Sequence, residues 1–345
     1  MLLVKEKDVA KIFRDLTPEQ SSRLLTALTD SLATYSGENK LKDNERLLHQ
    51  PLRSAIVTKH NDTTLFMPSS DTTNTGIKVV TLPAKGGAVG VINLFSPEGN
   101  LVGLVAATEV TAFRTALTSM ILFKLASHIN RRRVVIFGSG RQAEWHIRLS
   151  LLLLPAGEIE SFTVVNRGRK RLDSLEEEVL SSLRKDHPNV SFKLLAKEDS
   201  PDYDQQLQSE VDASDAIFGC TPSTEPLFPF SYFKEQKKRY ISLIGSYKPH
   251  MKEIDTDTLL SGGGTIFVDT KKGTLEESGE FADANIKEDQ LVEIGELFPN
   301  PEKFDLTKYP TVVFKCVGMG IMDLVMGRQL LKIASEEGLG TSVEW

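Results

Sequence analysis

The sequence has few cysteines, no surplus of basic residues and no long apolar run. Its 345 residues include two cysteines, Cys220 and Cys316, neither with histidine or cysteine neighbours at the spacing of metal ligands. A disulfide framework and a zinc site are therefore not expected, and a reducing compartment is the natural location. The net charge is −6 with acids and bases interspersed, so no nucleic-acid partner is expected.

The missing apolar segments exclude the usual membrane and export signals. The first residues, Met1 to Phe13, lack the apolar core and cleavage site of a signal peptide. The run from Leu149 to Leu154 is too short to span a bilayer. The final residues, Ser-Val-Glu-Trp, match no retention or peroxisomal signal. We therefore expect a soluble cytoplasmic protein with no membrane partner and no bound metal.

The first third of the chain has the pattern of helices followed by an antiparallel sheet. Two helices are predicted up to about Ser36, the second capped by Thr17 with Pro18 at its first position. Turn residues then separate short strand-like runs, which are Arg53–Lys59, Thr63–Met67, Gly76–Leu82, Val89–Phe95 and Leu101–Ala107. A long helix is predicted from about Thr111 to His128.

From Arg131 onward, apolar strands alternate with helices, which predicts a doubly wound parallel sheet of the Rossmann type. The predicted strands are Val134–Gly138, Phe162–Val165, Val190–Leu195, Ala216–Cys220, Tyr240–Ile244 and Ile266–Asp269. One more strand, Val312–Cys316, and a helix from about Met319 to Glu336 return to the first domain. The predicted fold is thus α/β, with a Rossmann domain (128–311) inserted in a discontinuous α+β domain (1–127 plus 312–345).

A glycine-rich turn follows the first strand of the predicted Rossmann domain. The strand runs into a helix through Gly138, Ser139, Gly140, Arg141, Gln142 and Ala143, a G-x-G-x-x-A sequence. The first glycine permits the tight turn, the second lets a diphosphate approach the backbone, and the alanine lets the helix pack on the strand. The turn predicts dinucleotide binding, with a plain loop as the alternative.

The end of the second strand bears on the choice of cofactor. An acidic residue there would bind the ribose 2′-hydroxyl of NAD and repel the 2′-phosphate of NADP. The sequence instead has Asn166, Arg167, Gly168, Arg169 and Lys170, and two arginines can bind phosphate. This favours NADP(H), with NAD still possible. A solvated basic helix start is the alternative interpretation.

Seven segments resemble the ornithine cyclodeaminase/mu-crystallin family along nearly the whole chain. In order they are PLRSAIVT, GIKVVTLP, ATEVTAFRTALTS, GSGRQAEWH, GSYKPHMKEID, VDTKKGTLEESGE and VFKCVGMGIMD. The resemblance implies hydride transfer between a nicotinamide and the α-carbon of an amino or imino acid. It also implies a homodimer formed through the domain outside the Rossmann fold, which would bind the substrate.

The resemblance assigns roles to three basic residues. Arg53 and Arg114 match positions that hold a substrate carboxylate, and Lys78 matches the lysine beside the reacting nitrogen. The chemistry is consistent, because an arginine fork orients a carboxylate and a lysine near other cations can exchange protons near neutral pH. Without the resemblance, all three would be read as solvated surface charges.

Three further positions are predicted to contact the cofactor. Thr115 matches a position near the cofactor phosphates, and Thr221 follows the fourth strand of the Rossmann domain. Cys316 stands where many members of the family carry serine and could touch the nicotinamide side. A buried structural thiol is the alternative for Cys316.

One departure from the family pattern distinguishes the possible activities. Tyr247 occupies the place of an aspartate that assists ornithine cyclodeaminases, and Asn166 replaces an acid of the members that use NAD. We therefore predict an NADP-preferring ketimine reductase acting on a cyclic imino acid such as Δ1-pyrroline-2-carboxylate or Δ1-piperideine-2-carboxylate. The alternatives are an ornithine cyclodeaminase, an alanine-dehydrogenase-like enzyme and a binding protein that holds NADPH and a small ligand without turnover.

Overall fold

The computed structural model describes residues 1–39, 41–199, 201–299 and 301–344. The chain forms two compact units, one built from Met1–Arg114 with Gly318 onward and one from Thr115–Val317. The predicted domain limits lie after residue 127 and before residue 312, so they differ from this division, which falls within a helix. Those limits remain a prediction.

The first unit begins with two helices and a meander of strands. The elements are β1 (Leu2–Val4), α1 (Glu6–Arg14), α2 (Pro18–Glu38), β2 (Ser54–Val57), β3 (Thr63–Ser70), β4 (Thr75–Leu82), β5 (Val89–Phe95), β6 (Leu101–Ala106) and α3 (Ala107–Leu125). The predicted Thr17 cap is confirmed, because its hydroxyl accepts a hydrogen bond from the amide of Gln20.

Helix α3 begins four residues earlier than predicted, at Ala107. The carboxylate of Glu6 accepts a hydrogen bond from the amide of Glu109 at 2.6 Å. This acceptor lies far away in sequence and satisfies one of the amides that the first turn of a helix leaves without a partner. A cap of this kind cannot be read from neighbouring residues.

The second unit alternates strands and helices. Its elements are β7 (Arg133–Phe137), α4 (Arg141–Leu153), β8 (Ser161–Asn166), α5 (Arg169–Leu175), a π-helical stretch (Glu176–Leu180), α6 (Ser181–Asp186), β9 (Ser191–Ala196), α7 (Tyr203–Ala213), β10 (Ala216–Gly219), β11 (Arg239–Leu243), α8 (Thr256–Leu260), β12 (Ile266–Val268), α9 (Lys271–Glu277), α10 (Gly279–Asp283), β13 (Leu291–Glu293) and β14 (Thr311–Lys315). The chain then returns to the first unit through α11 (Gly320–Glu336) and β15 (Thr341–Ser342).

The first unit contains a seven-stranded sheet in the order β15-β1-β6-β5-β4-β3-β2. Strands β2 to β6 pair antiparallel with one another, as predicted, and β1 pairs parallel with β6. Helix α11 packs over β3, β4 and β5 and against α2. The apolar stripe of α2 faces inward, since Leu24, Leu28 and Leu32 are buried.

The second unit contains an eight-stranded parallel sheet in the order β13-β12-β14-β11-β10-β7-β8-β9. Strands β8 and β9 lie on one side of β7, and β10 to β14 lie on its other side. The fold is therefore the predicted doubly wound α/β sheet, with its switch point between β7 and β10. Ligands of such sheets bind outside the carboxyl ends of the strands at that point. Among the described residues, no helix is long and apolar enough to cross a bilayer.

Candidate active site

A buried cluster of charges lies in the first unit. Lys78 is on β4, Arg114 on α3 and Asp323 on α11, and all three side chains are at most 5% exposed. The ammonium of Lys78 lies 2.7 Å from one oxygen of Asp323, and the Nε–H of Arg114 donates to the other at 3.2 Å. One carboxylate thus links two cations in the interior.

The strand pattern explains why Lys78 points inward. Along β4, Gly76, Lys78 and Val80 are buried, whereas Ile77 and Val79 between them are partly exposed. Side chains on alternate positions of a strand share a face, so Lys78 occupies the face that carries the core. Its ammonium also donates to Thr111 at 3.4 Å. The alternative of an outward-facing strand lysine does not hold for Lys78.

The environment of Lys78 makes its proton labile. Burial, together with the positive charges of Arg114 and Arg53, lowers the pKa of Lys78 from 10.5 to about 8. The negative charge of Asp323 opposes this change and keeps the pKa from falling lower. An ammonium with a pKa near 8 is mostly charged at neutral pH and still releases its proton readily.

Arg53 and Gly318 complete the surroundings of the cluster. Arg53 lies just before β2, is partly exposed, and is close enough for its charge to affect the pKa of Lys78. Gly318 has a φ of +86°, and a Cβ added there would lie 2.6 Å from NH1 of Arg114. A side chain at position 318 would therefore displace the guanidinium.

Asp323 is the site residue that the sequence analysis does not identify. An acid in the first turn of a helix suits the helix dipole, which would account for its presence without any other role. In the structure its carboxylate is 1% exposed and pairs with two cations. The one available signal is an acid within the apolar run GIMDLVM, because a buried acid requires a partner.

The glycine turn of the second unit has the geometry that its sequence predicts. Gly138 has a φ of +111°, and a Cβ there would lie 2.8 Å from the carbonyl oxygen of Cys220. A Cβ added to Gly140 would meet no atom within 4 Å, so the backbone there is open to a ligand. Ala143 is fully buried, which lets α4 pack against β7.

Two polar atoms at this turn support the fit to a dinucleotide. The Oγ of Ser139 and the Oε1 of Gln142 are buried and have no hydrogen-bond partner among the described residues. Arg141, the first residue of α4, is exposed, and the hydroxyl of Thr221 would lie 3.2 Å from a Cβ on Gly138. Gly138, Ser139, Gly140, Gln142 and Thr221 therefore gather around one turn. The Ser139 hydroxyl can donate to a bound diphosphate, whereas the Gln142 oxygen can accept only from a donor group of the dinucleotide.

The residues after β8 are already engaged with other groups. The amide of Asn166 donates to the carbonyl of Gly168, and Arg167 is exposed. The guanidinium of Arg169 pairs with Asp173 at 2.8 Å and with Asp199 at 3.5 Å. The segment contains no acid itself, but Asp173 of α5 and Asp199, after β9, lie against it.

The remaining predicted cofactor residues are Thr115 and Cys316, and both are buried. Thr115 lies on α3 at the start of the second unit. The thiol of Cys316 donates to Asp269 at 3.2 Å, and Asp269 also accepts from the amides of Thr270 and Val317. This network supports the structural alternative for Cys316, while a contact with the cofactor stays a prediction.

His146 forms a buried bridge beneath the glycine turn. Its Nδ1 lies 2.7 Å from the carbonyl of Gln142 and its Nε2 lies 3.0 Å from the hydroxyl of Ser119. Because a carbonyl only accepts, Nδ1 carries the proton. Burial lowers the pKa of His146 to about 4, so the ring is neutral at physiological pH and does not act as a cationic acid.

A second buried charge cluster supports the loops at the carboxyl edge of the sheet. Lys315 is fully buried, donates to the carbonyl of Ser246 and pairs with Glu280 at 3.1 Å. Glu253 accepts from the amides of Thr221 and Gly245. Burial, with the charge of Glu280, raises the pKa of Glu253 to about 7, although the charge of Lys315 opposes the rise. The cluster thus joins the loops after β10 and β11.

Among the residues that the structure describes, no group of three or more histidine, cysteine, aspartate or glutamate side chains is placed to hold a metal ion.

The fold defines a two-unit α/β protein with a doubly wound sheet inserted in an α+β unit, and comparisons with known proteins identify its family. The model of the ornithine cyclodeaminase/mu-crystallin family matches residues 21–185. An uncharacterised protein of Saccharomyces cerevisiae, YGL159W, is 31% identical over 97% of both chains. The chain belongs to the ornithine cyclodeaminase/mu-crystallin family.

Two further similarities come from proteins with named activities. A Δ1-pyrroline-2-carboxylate reductase of Colwellia psychrerythraea is 27% identical over 70% of this chain and 72% of its own length. The structure of a Thermococcus litoralis Δ1-pyrroline-2-carboxylate reductase in complex with NADH and L-proline superposes with a TM-score of 0.80. That match covers 99% of this chain and all of the other at 24% identity, which establishes the shared fold.

Proposed function

We propose that the chain is an NAD(P)H-dependent reductase of a small cyclic imino acid such as Δ1-pyrroline-2-carboxylate or Δ1-piperideine-2-carboxylate. The observation that carries the proposal is the buried cluster of Lys78, Arg114 and Asp323, in which the pKa of Lys78 is about 8. Membership of the family and the named reductases among its relatives support the same reaction class.

The basic residues of the first unit account for substrate binding. An imino acid has a carboxylate next to its C=N carbon, and the guanidinium groups of Arg114 and Arg53 can bind that carboxylate and fix its orientation. The Nε–H of Arg114 donates to Asp323, and Nη1 contacts the sulfur of Met322. Asp323 thus fixes the guanidinium that would bind the substrate carboxylate.

Lys78 accounts for the proton that the reaction needs. The C=N carbon accepts hydride readily only when its nitrogen is protonated, and the product amine keeps that proton. We assign Lys78 to hold the proton at the imine nitrogen and to supply it during reduction, as a lysine with a lowered pKa can do. The bound nicotinamide supplies the hydride.

The second unit would hold the dinucleotide. The buried hydroxyl of Ser139 and the open backbone at Gly140 support a diphosphate at the glycine turn. Arg167 and Arg169 support a preference for the 2′-phosphate of NADP(H).

We also propose a cytoplasmic location, since Cys220 and Cys316 form no disulfide in the structure.

Mixing the protein, NADPH and either cyclic imine should remove the nicotinamide absorbance. The expected product is the corresponding cyclic amino acid, formed in equal amount to the NADPH consumed. No loss of absorbance with any five- or six-membered imino acid would contradict the proposal. Ammonia released from ornithine would instead support the cyclodeaminase alternative, and NADPH binding without any turnover would support the binding-protein alternative.

An exposed apolar edge supports assembly of two copies through the first unit. All four residues of the edge strand β2 are exposed, and Ile56 and Val57 are 57% and 63% exposed. Val89 and Leu47 of the same unit are also more than half exposed. Exposed apolar groups on a sheet edge favour association.

Sedimentation equilibrium should give the mass of two chains, and a Val57→Lys variant should shift the mass toward one chain. A wild-type monomer at micromolar concentration would contradict the dimer.

A further inference from the structure

The segment after β9 runs beside the proposed ribose-binding segment after β8. Strands β8 and β9 are parallel neighbours, with Asn166 opposite Ala196. Beyond them, the amide of Lys197 donates to the carbonyl of Asn166 at 3.1 Å, and the amide of Glu198 donates to the carbonyl of Arg167 at 3.2 Å. Glu198 is therefore held next to the basic segment although it lies about thirty positions later in the chain.

The carboxylate of Glu198 binds a backbone amide just after the end of β8. Its Oε1 accepts a hydrogen bond from the amide of Arg169, and its two oxygens lie 3.6 and 3.8 Å from where a Cβ on Gly168 would be. A carboxylate at this edge of a doubly wound sheet accepts from a ribose 2′-hydroxyl and repels a 2′-phosphate. Glu198 thus places an acid near the end of the second strand, although the second strand itself has none there.

The arginine partners at this edge are weakly held. Arg169 and its two acidic partners, Asp173 and Asp199, are 42% to 59% exposed, and ion pairs at such exposure contribute little. The guanidinium can therefore exchange partners for a phosphate without loss of the fold. The Glu198 side chain is exposed as well, but its carboxylate is bound to the amide of Arg169, so a 2′-phosphate would have to displace it or lie against it.

We propose that Glu198 is a determinant of cofactor specificity that limits the preference for NADP(H) and allows use of NAD(H). The inference rests on the proposed dinucleotide site after β8. The two arginines favour the 2′-phosphate and Glu198 opposes it, so the ratio of the two affinities reflects their balance. Removing the charge of Glu198 removes the opposing contribution alone.

Glu198→Gln is the direct test, because the amide oxygen can still accept from the amide of Arg169 while the negative charge is lost. Dissociation constants for NADPH and NADH are measured by nicotinamide fluorescence, without substrate. We expect the ratio Kd(NADH)/Kd(NADPH) to rise about tenfold, mainly through tighter NADPH binding, as loss of one nearby like charge implies. Glu288→Gln is the matched control, since Glu288 is exposed and precedes β13, at the opposite edge of the sheet from β9.

The outcomes separate this inference from the proposed site. If the wild-type protein binds both coenzymes and Glu198→Gln leaves their ratio within twofold of wild type, the role of Glu198 is wrong and the dinucleotide site stands. If the ratio rises equally in Glu288→Gln, the effect is one of overall charge and the role of Glu198 is again wrong. If the wild-type protein binds neither coenzyme, the dinucleotide site itself is wrong. A Glu198→Ala variant repeats the test where the glutamine variant does not fold.

Discussion

Lys78→Ala should lower kcat for imine reduction by about 10²- to 10⁴-fold while NADPH affinity stays within about twofold of wild type. A positioned proton donor contributes a factor of this size, and alanine removes the proton together with its carrier. The coenzyme is held by residues of the second unit in our proposal, so its affinity should not depend on Lys78. Steady-state kinetics and a fluorescence titration of NADPH measure the two quantities separately.

Lys85→Ala is the matched control for this variant. Lys85 belongs to the same unit, lies in the turn between β4 and β5, and is exposed. The substitution removes the same charge from the surface and should leave kcat near the wild-type value. Turnover that survives in Lys78→Ala would refute our assignment of the proton donor, even if the protein proves to be a reductase.

Asp323→Asn should move the alkaline limb of the pH–rate profile to lower pH. In the wild-type protein, kcat for reduction should fall as pH rises through about 8, because Lys78 then loses the proton that it supplies. The negative charge of Asp323 raises the pKa of Lys78, whereas burial, Arg114 and Arg53 lower it. Removing the charge of Asp323 leaves only the lowering influences, so the pKa of Lys78 falls and the loss of activity begins at lower pH. The profile of kcat between pH 5 and 9 gives the shift directly.

The same substitution should also destabilise the first unit. Breaking a buried ion pair by removing one partner costs about 3–5 kcal/mol, because the remaining charges lose their compensation. A chemical denaturation series measures this loss, with Asp30→Asn on the exposed face of α2 as the control. An unchanged pH profile in a folded Asp323→Asn protein would mean that the carboxylate has a structural role only. The double variant with Lys78→Met gives the coupling energy of the pair.

Much of the fold could be predicted from local patterns. The continuous apolar runs of the second unit gave strand positions within a residue or two, as for Val134–Gly138 against the observed β7 at Arg133–Phe137. The apolar residues Leu172, Leu175 and Val179 have helical spacing and are buried, although a π-helical stretch interrupts the α-helix. The short strands β1, β13 and β15 were missed, because two or three residues have no period and their pairing depends on distant partners.

The candidate site was predictable only in part. The glycine turn has a sequence pattern with a physical cause, and its geometry follows from it. Lys78 and Arg114 came from the family resemblance, because alternation along β4 does not say which face is buried. Asp323 and Glu198 could not be found from neighbours, since each acts on residues far away in sequence that only the folded chain brings close.

The split construction of the first unit has a consequence for the order of assembly during synthesis. The ribosome releases β4 and α3 early, whereas Asp323 emerges 209 residues after its partner Arg114. Until α11 arrives, closing this unit would bury two cations with no carboxylate between them, which is strongly unfavourable. The inserted Rossmann unit is complete before α11 appears, so it can fold first. The nascent polypeptide thus keeps its lysine and arginine hydrated until the last helix brings the neutralising charge.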